Sequence, residues 1–221
     1  MDQLRRMFPD HPTKRLFDAQ ELESAYAASG SKVADAAVDC GDTWLAIEIT
    51  SLIAKREALI GHGPEHYFQM LEQVVAEAQQ ALATAYNLLT NVERLSGVHA
   101  TPDAVFPAVL LTEAFPVLPT TQSEIRDRIS ASSPSLDPRI RPVELLSLHD
   151  LRFIEVLPQH HGLSIPSLIE AKSTSGFWAD SMTSYLRAVH ADLWPDEERF
   201  AQGWERLITR FYSRLSMALD Q

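Results

Sequence analysis

The stretch DAAVDCGDTWLAIEIT, residues 35–50, decides how this chain is read. Two largely apolar runs flank Cys40, Gly41 and Asp42, a Gly-containing turn, which is the pattern of a β-hairpin. Acids stand inside it where apolar side chains would pack better. Side chains alternate across a strand, so Trp44, Ala46, Glu48 and Thr50 share one face and Leu45, Ile47 and Ile49 the other. In the first run Asp35, Ala37 and Asp39 oppose Ala34, Ala36 and Val38. Antiparallel pairing across the turn brings Asp35 opposite the end that carries Glu48 and Thr50, and leaves Asp39 near the turn as a secondary candidate. Two carboxylates converging on one face repel unless one takes a proton or a cation compensates them. A hard ion such as Mg²⁺ suits that face: it takes oxygen ligands, often from only one or two carboxylates, and completes its shell with water and phosphate oxygens. The carbonyl of Ile49 could add an oxygen. The same spacing also describes a solvated polar face on a half-exposed sheet.

Outward from the hairpin, residues 1–12 read as a short helix ended by prolines, 14–19 as a brief strand, and 19–29 as a helix with Leu22 and Tyr26 on one face. The strongest helical pattern runs over 64–95, with Phe68, Leu71, Val75, Ala78, Leu82, Ala85 and Leu89 three or four apart. A strand buried on both faces is predicted over 108–112. A helix follows, with Thr121 and Glu124 at capping-box spacing. A further strand is predicted near 143–147. After it come only helical patterns, the later ones at 164–172, 179–190 and 195–219. The prediction is an α/β fold: a mixed central sheet flanked by helices over 1–147, and a helical extension over 148–221 packed on it.

The chain has 221 residues, 45% of them hydrophobic, enough for a substantial core. Its net charge of -11 argues against bulk attraction to a phosphate backbone. The runs RDR at 126–128 and RIR at 139–141 are either a local basic patch or ordinary solvated charges. Contact with DNA or RNA would therefore need a local site. Cys40 is the single cysteine, which rules out an internal disulfide and a zinc-thiolate cluster and suits a reducing, cytoplasmic setting. No apolar run approaches the ~20 residues of a membrane span, and the first residues lack a signal-peptide core. His160 and His161 read as a helix end, and His62 and His66 as a loop and helix start. No serine-hydrolase elbow, phosphate-binding loop or dinucleotide fingerprint is present. The aromatics of the tail, from Phe177 and Trp178 to Phe211 and Tyr212, read as a helical core or as a surface for a protein partner or a second copy.

An acid before a short apolar strand, a turn, and then hydrophobic-Glu-x at Ile47, Glu48 and Ile49 resembles the PD-(D/E)XK nuclease superfamily. Residues 34–38, ADAAV, match its aspartate-plus-strand element, and 46–50, AIEIT, its (D/E)xK element. The likeness covers roughly residues 14–112 and extends to the long helix and strand that follow, as in the family's αβββαβ core. It implies a restriction-endonuclease-like fold and Mg²⁺- or Mn²⁺-dependent phosphodiester hydrolysis. Asp35 and Glu48 would be metal ligands, with the Ile49 carbonyl beside them. Gln79 or Gln80 would be the helix glutamine that some members carry. The family lysine belongs at position 50, where this chain has Thr50. That lysine is held to orient water and stabilise developing negative charge. Lys55 is the residue that would have to replace it. The extra acid of the family's first helix has no clear counterpart: Asp2 and Asp10 fit poorly, and Glu21 or Glu23 would have to substitute. The resemblance therefore implies a nuclease with weakened or lost activity, or an interaction module that has kept the nuclease-like fold and needs no metal.

Overall fold

The computed structural model describes residues 1–9, 15–26, 32–52, 64–98, 100–112, 118–132, 137–161 and 164–190. Five strands form one mixed sheet: β1 (Leu16–Asp18), β2 (Ala36–Asp39), β3 (Thr43–Thr50), β4 (Ala104–Leu111) and β5 (Glu144–Ser147), in spatial order β1-β2-β3-β4-β5. The first two pairings are antiparallel and the last two parallel. The helices are α1 (Asp2–Met7), α2 (Ala19–Tyr26), α3 (Pro64–Thr90), α4 (Pro119–Ser132), α5 (Leu148–His161), α6 (Ile165–Ser173) and α7 (Met182–Val189). The predicted α/β class and mixed sheet flanked by helices are observed. The chain divides into two compact units, Met1–Ser184 and Tyr185–Gln221, and the sheet lies in the first. The pattern at 195–219, and with it Trp194, Phe200, Trp204, Phe211 and Tyr212, lies outside the described residues.

The hairpin forms in the expected register, with Ala36 opposite Ile47 and Asp39 opposite Trp44. Gly41 closes the turn at φ +94°, a conformation that side chains disfavour. Asp39 Oδ1 accepts the Gly41 N–H at 2.7 Å, so Asp39 serves the turn. Along β3 the even face, Trp44 and Ala46, packs into the principal core with Phe17, Ala37, Val105, Val109 and Leu111 and with Leu71, Val74, Ala78, Leu82 and Leu88 of α3. Phe17 stacks on Trp44 with ring centroids 5.5 Å apart. Glu48 and Thr50 continue that same face.

Three readings of the sequence need correction. Strand β4 begins at Ala104, four residues before the predicted strand, and contains Pro107. A proline is tolerated in this central strand because β4 bonds its β5-side neighbours in two separate places. Val105 bridges Ile140, and the β5 ladder resumes only at Ala108 opposite Glu144, so the missing N–H falls between them. Phe68, on the periodic stripe of α3, is 51% exposed. At that level α3 meets α4, through the Tyr67 hydroxyl and Thr121 Oγ1 at 2.9 Å. Thr121 is therefore a buried contact within α4, not its cap, and Glu124 pairs with Arg128 at 2.7 Å.

The opposite face of the sheet carries a charge in its core. Glu144 is fully buried, and Lys172 of α6 reaches its two oxygens at 2.9 and 3.2 Å. Asp150 caps the start of α5 by accepting the Ser147 N–H at 2.8 Å, and also accepts the Thr183 N–H at 2.8 Å. These bonds tie α5, α6 and the first residues of α7 to the sheet.

Candidate functional site

The hairpin ladder ends at Ala36, and beyond it the chain enters the site. Asp35 turns its side chain to β3 and accepts the Ile49 N–H through Oδ2 at 2.8 Å. Ala34, which continued pairing would set opposite Ile49, gives its N–H instead to Thr84 Oγ1 of α3 at 2.7 Å. Backbone groups alternate sides along a strand. The Thr50 carbonyl accepts from Thr112 on the β4 side, at 3.0 Å, while the Ile49 N–H bonds on the β2 side. The Ile49 carbonyl thus lies on the Asp35 side, where its ladder donor has been diverted to Thr84. Thr84 fixes the level of α3 against the hairpin. Thr84→Val would leave a buried N–H unpaired and is expected to lower stability by about 1–3 kcal/mol, read from denaturant midpoints.

Glu48 occupies the centre. Its residue is 7% exposed, and its Oε2 is buried without a hydrogen-bond partner. Its carboxyl is within hydrogen-bond reach of those of Glu77, on α3, and Asp35. Burial, then the charges of Asp35 and Glu77, push the Glu48 carboxyl from 4.5 up to about 8. Gln80, one turn along α3, donates to Glu77 Oε2 at 2.5 Å. The site is thus a carboxyl group in a dry position, flanked by two further acids that neutral donors orient.

The other sequence candidates separate clearly. Thr50 is 7% exposed and shares the Glu48 face by parity, but brings no charge. Lys55, like Asp10, lies outside the described residues. Gln79 is exposed and bonds Ser132 Oγ at 3.3 Å, away from the acids, whereas Gln80 touches the site through Glu77. Glu21 caps α2: its Oε2 accepts the Asp18 N–H at 3.1 Å, and its own N–H bonds Asp18 Oδ1 at 3.2 Å. Glu23 and Asp2 are exposed on their helices. Sequence reasoning missed Glu77. The available signal was Glu77, Gln80 and Thr84, three polar residues three and four apart beside the apolar stripe of α3.

The arginine runs do not form a free basic patch. Arg126 reaches Glu144 at 3.5 Å, Arg128 pairs with Glu124 and Glu72, Arg139 with Asp137 at 2.8 Å and Arg141 with Glu170 at 3.1 Å. Burial pushes the Cys40 thiol up to about 12, which leaves it unreactive at neutral pH. Among the described residues, no helix is long and apolar enough to cross a membrane. Among them, too, no three histidine, cysteine, aspartate or glutamate side chains are spaced as a ready ligand set for a metal ion. A site of one or two carboxylates completed by water requires no such set. The donors here are all oxygens, and the orphaned Glu48 Oε2 is the kind of atom a hard cation satisfies. Asp35, Glu48 and the Ile49 carbonyl are oxygen donors of the type that Mg²⁺ or Mn²⁺ takes. No protein-family model, curated protein or solved structure matches this chain.

Proposed function

We propose that this is a nuclease-like domain of the PD-(D/E)XK kind that binds Mg²⁺ or Mn²⁺ through Asp35 and Glu48 and has weakened phosphodiester chemistry toward DNA or RNA. The observation that carries the reading is the anchoring of Asp35 on the Ile49 N–H, one residue past Glu48, while Glu48 keeps a buried oxygen without a hydrogen-bond partner. The order of β2, β3, α3 and β4 supports a restriction-endonuclease-like core. When bound, the ion would act as Lewis acid and activate water. Asp35 and Glu48 would supply the negative charge that holds it, and the Ile49 carbonyl a neutral oxygen. Thr50 can hydrogen-bond a phosphate oxygen or water but cannot neutralise charge, and this is the reason for the weakened activity. A lone, half-buried thiol is compatible with a cytoplasmic location.

The second reading is a protein-interaction module with the same fold and no metal. It is favoured by the buried, uncharged Thr50 where the lysine would stand. Titration calorimetry separates the two. Wild type should give a Mg²⁺ or Mn²⁺ binding signal that Asp35→Ala abolishes; silence from wild type favours the interaction module. In a cleavage assay on DNA and RNA, Thr50→Lys is expected to raise the rate on the order of 10²–10³-fold if charge is what the site lacks. No gain, with cation binding intact, would remove the nuclease part of the proposal.

A further inference from the structure

Resting on that reading, we infer that Thr84 of α3 is a positioning residue: it holds the last hydrogen-bonded pair of the hairpin apart and so keeps the Ile49 carbonyl open as a cation ligand. The register fixes which pairs exchange hydrogen bonds. The Cys40 N–H donates to the Thr43 carbonyl at 2.9 Å. Bonded and non-bonded pairs alternate along an antiparallel ladder. Val38 with Leu45 and Ala36 with Ile47 are therefore bonded pairs, and Ala34 with Ile49 would be the next. That pair does not close. The Ile49 N–H goes to Asp35 Oδ2 at 2.8 Å, and the Ala34 N–H goes to Thr84 Oγ1 at 2.7 Å. Both donors of one pair are taken by side chains.

The two diversions do different things. Asp35 takes the donor of Ile49 and leaves its acceptor untouched. Thr84 removes the donor that would have covered that acceptor. Thr84 and Ala34 are both fully buried, so water does not compete for their bond. A helical threonine commonly turns its hydroxyl to the carbonyl four residues back, as Thr90 does to Tyr86 at 2.8 Å. The Thr84 hydroxyl serves as an acceptor, for an N–H fifty residues away in sequence. Ile49 itself is half-buried, so its carbonyl can be reached. A hard cation takes backbone carbonyls as well as carboxylates. The independent sign of an unfilled place is the neighbouring Glu48, 7% exposed with Oε2 buried and without a hydrogen-bond partner.

The experiment follows the carbonyl carbon of Ile49 by NMR during Mg²⁺ titration, beside Mn²⁺ calorimetry and metal-free urea unfolding of each variant. In metal-free wild type the Ile49 signal should stand where a carbonyl without a hydrogen bond stands, and it should move as Mg²⁺ is added. Thr84→Val strands the Ala34 N–H and leaves it the Ile49 carbonyl as its ladder acceptor. The Ile49 signal should then move before any metal is present, and Mn²⁺ affinity should fall about 10-fold. Thr84→Ser keeps the hydroxyl and should bind like wild type. Thr90→Val, exposed on the same helix, should also bind like wild type. A folded Thr84→Val with wild-type affinity overturns the role of Thr84 and leaves the hairpin site standing. So does a hydrogen-bonded Ile49 signal in metal-free wild type, whether or not any variant folds. If wild type binds no Mn²⁺ at all, the cation reading itself fails and this inference with it.

Discussion

Lys172→Met is expected to cost about 3–5 kcal/mol of stability, because it strands a carboxylate in the core. Glu144 is fully buried, and Lys172 binds both of its oxygens while giving a third hydrogen bond to the Trp178 carbonyl at 3.1 Å. Burial pushes the Glu144 carboxyl upward; Lys172 first, then Arg126, pull it back. Arg126 stands farther off, at 3.5 Å, with its guanidinium over the Trp178 ring, 5.2 Å from the centroid, and cannot replace the ammonium. Removing Lys172 alone leaves Glu144 two choices, a poorly compensated charge or an uptake of protons, and both disfavour the folded state. The paired replacement Lys172→Met with Glu144→Leu should recover most of the loss, since apolar side chains of similar volume avoid the desolvation cost. Urea unfolding of wild type, the two single variants and the double variant gives the coupling energy directly. Additive losses would show that the pair does not act as a unit.

The second large effect is on pH dependence. Glu48 has its folded-state pKa raised to about 8, against 4.5 when unfolded. Between those values the folded chain binds more protons than the unfolded one, so stability falls as pH rises across that window. Below about pH 4.5 both states are protonated and the residue makes no difference. Above about pH 8 both are ionised, and the folded state carries the full cost of a buried carboxylate among two other acids. Glu48→Gln removes the titration. Relative to its difference from wild type near pH 5, the variant should gain about 4 kcal/mol by pH 9, on the order of ten degrees in melting temperature. Adding Mg²⁺ or Mn²⁺ at pH 9 should raise the wild-type melting temperature and leave that of Glu48→Gln nearly unmoved. Identical stability profiles for the two proteins would mean that Glu48 is solvated and that the site is open to water.

Part of this site is legible along the chain. The pairing of Asp35 with the end of β3 follows from alternation and from the length of one turn, both local properties. So does the demotion of Asp39, which sits at the turn and caps it. Glu77 is not legible in the same way. Its part depends on where along α3 the helix touches the hairpin, and that is set by Thr84 meeting Ala34, fifty residues apart in sequence. Phe68 and Thr121 illustrate the same limit. Periodicity assigns a face to each residue, but which neighbour covers that face depends on a second element. Pro107 misled for a different reason: the rule against proline in a central strand concerns hydrogen bonds, and the gap in the β5 ladder is invisible until the strands are side by side.

The sequence by itself determined the α/β class, the hairpin and its register, the acids at Asp35 and Glu48, and the uncharged residue at Thr50, because a period of two and a short turn act over a few residues. Only the tertiary structure decided that Glu48 is dry, that Glu77 and Gln80 complete its surroundings, and that Glu144 and Lys172 neutralise each other on the far side of the sheet. Burial and charge pairing depend on distances through space between elements that the chain itself holds far apart.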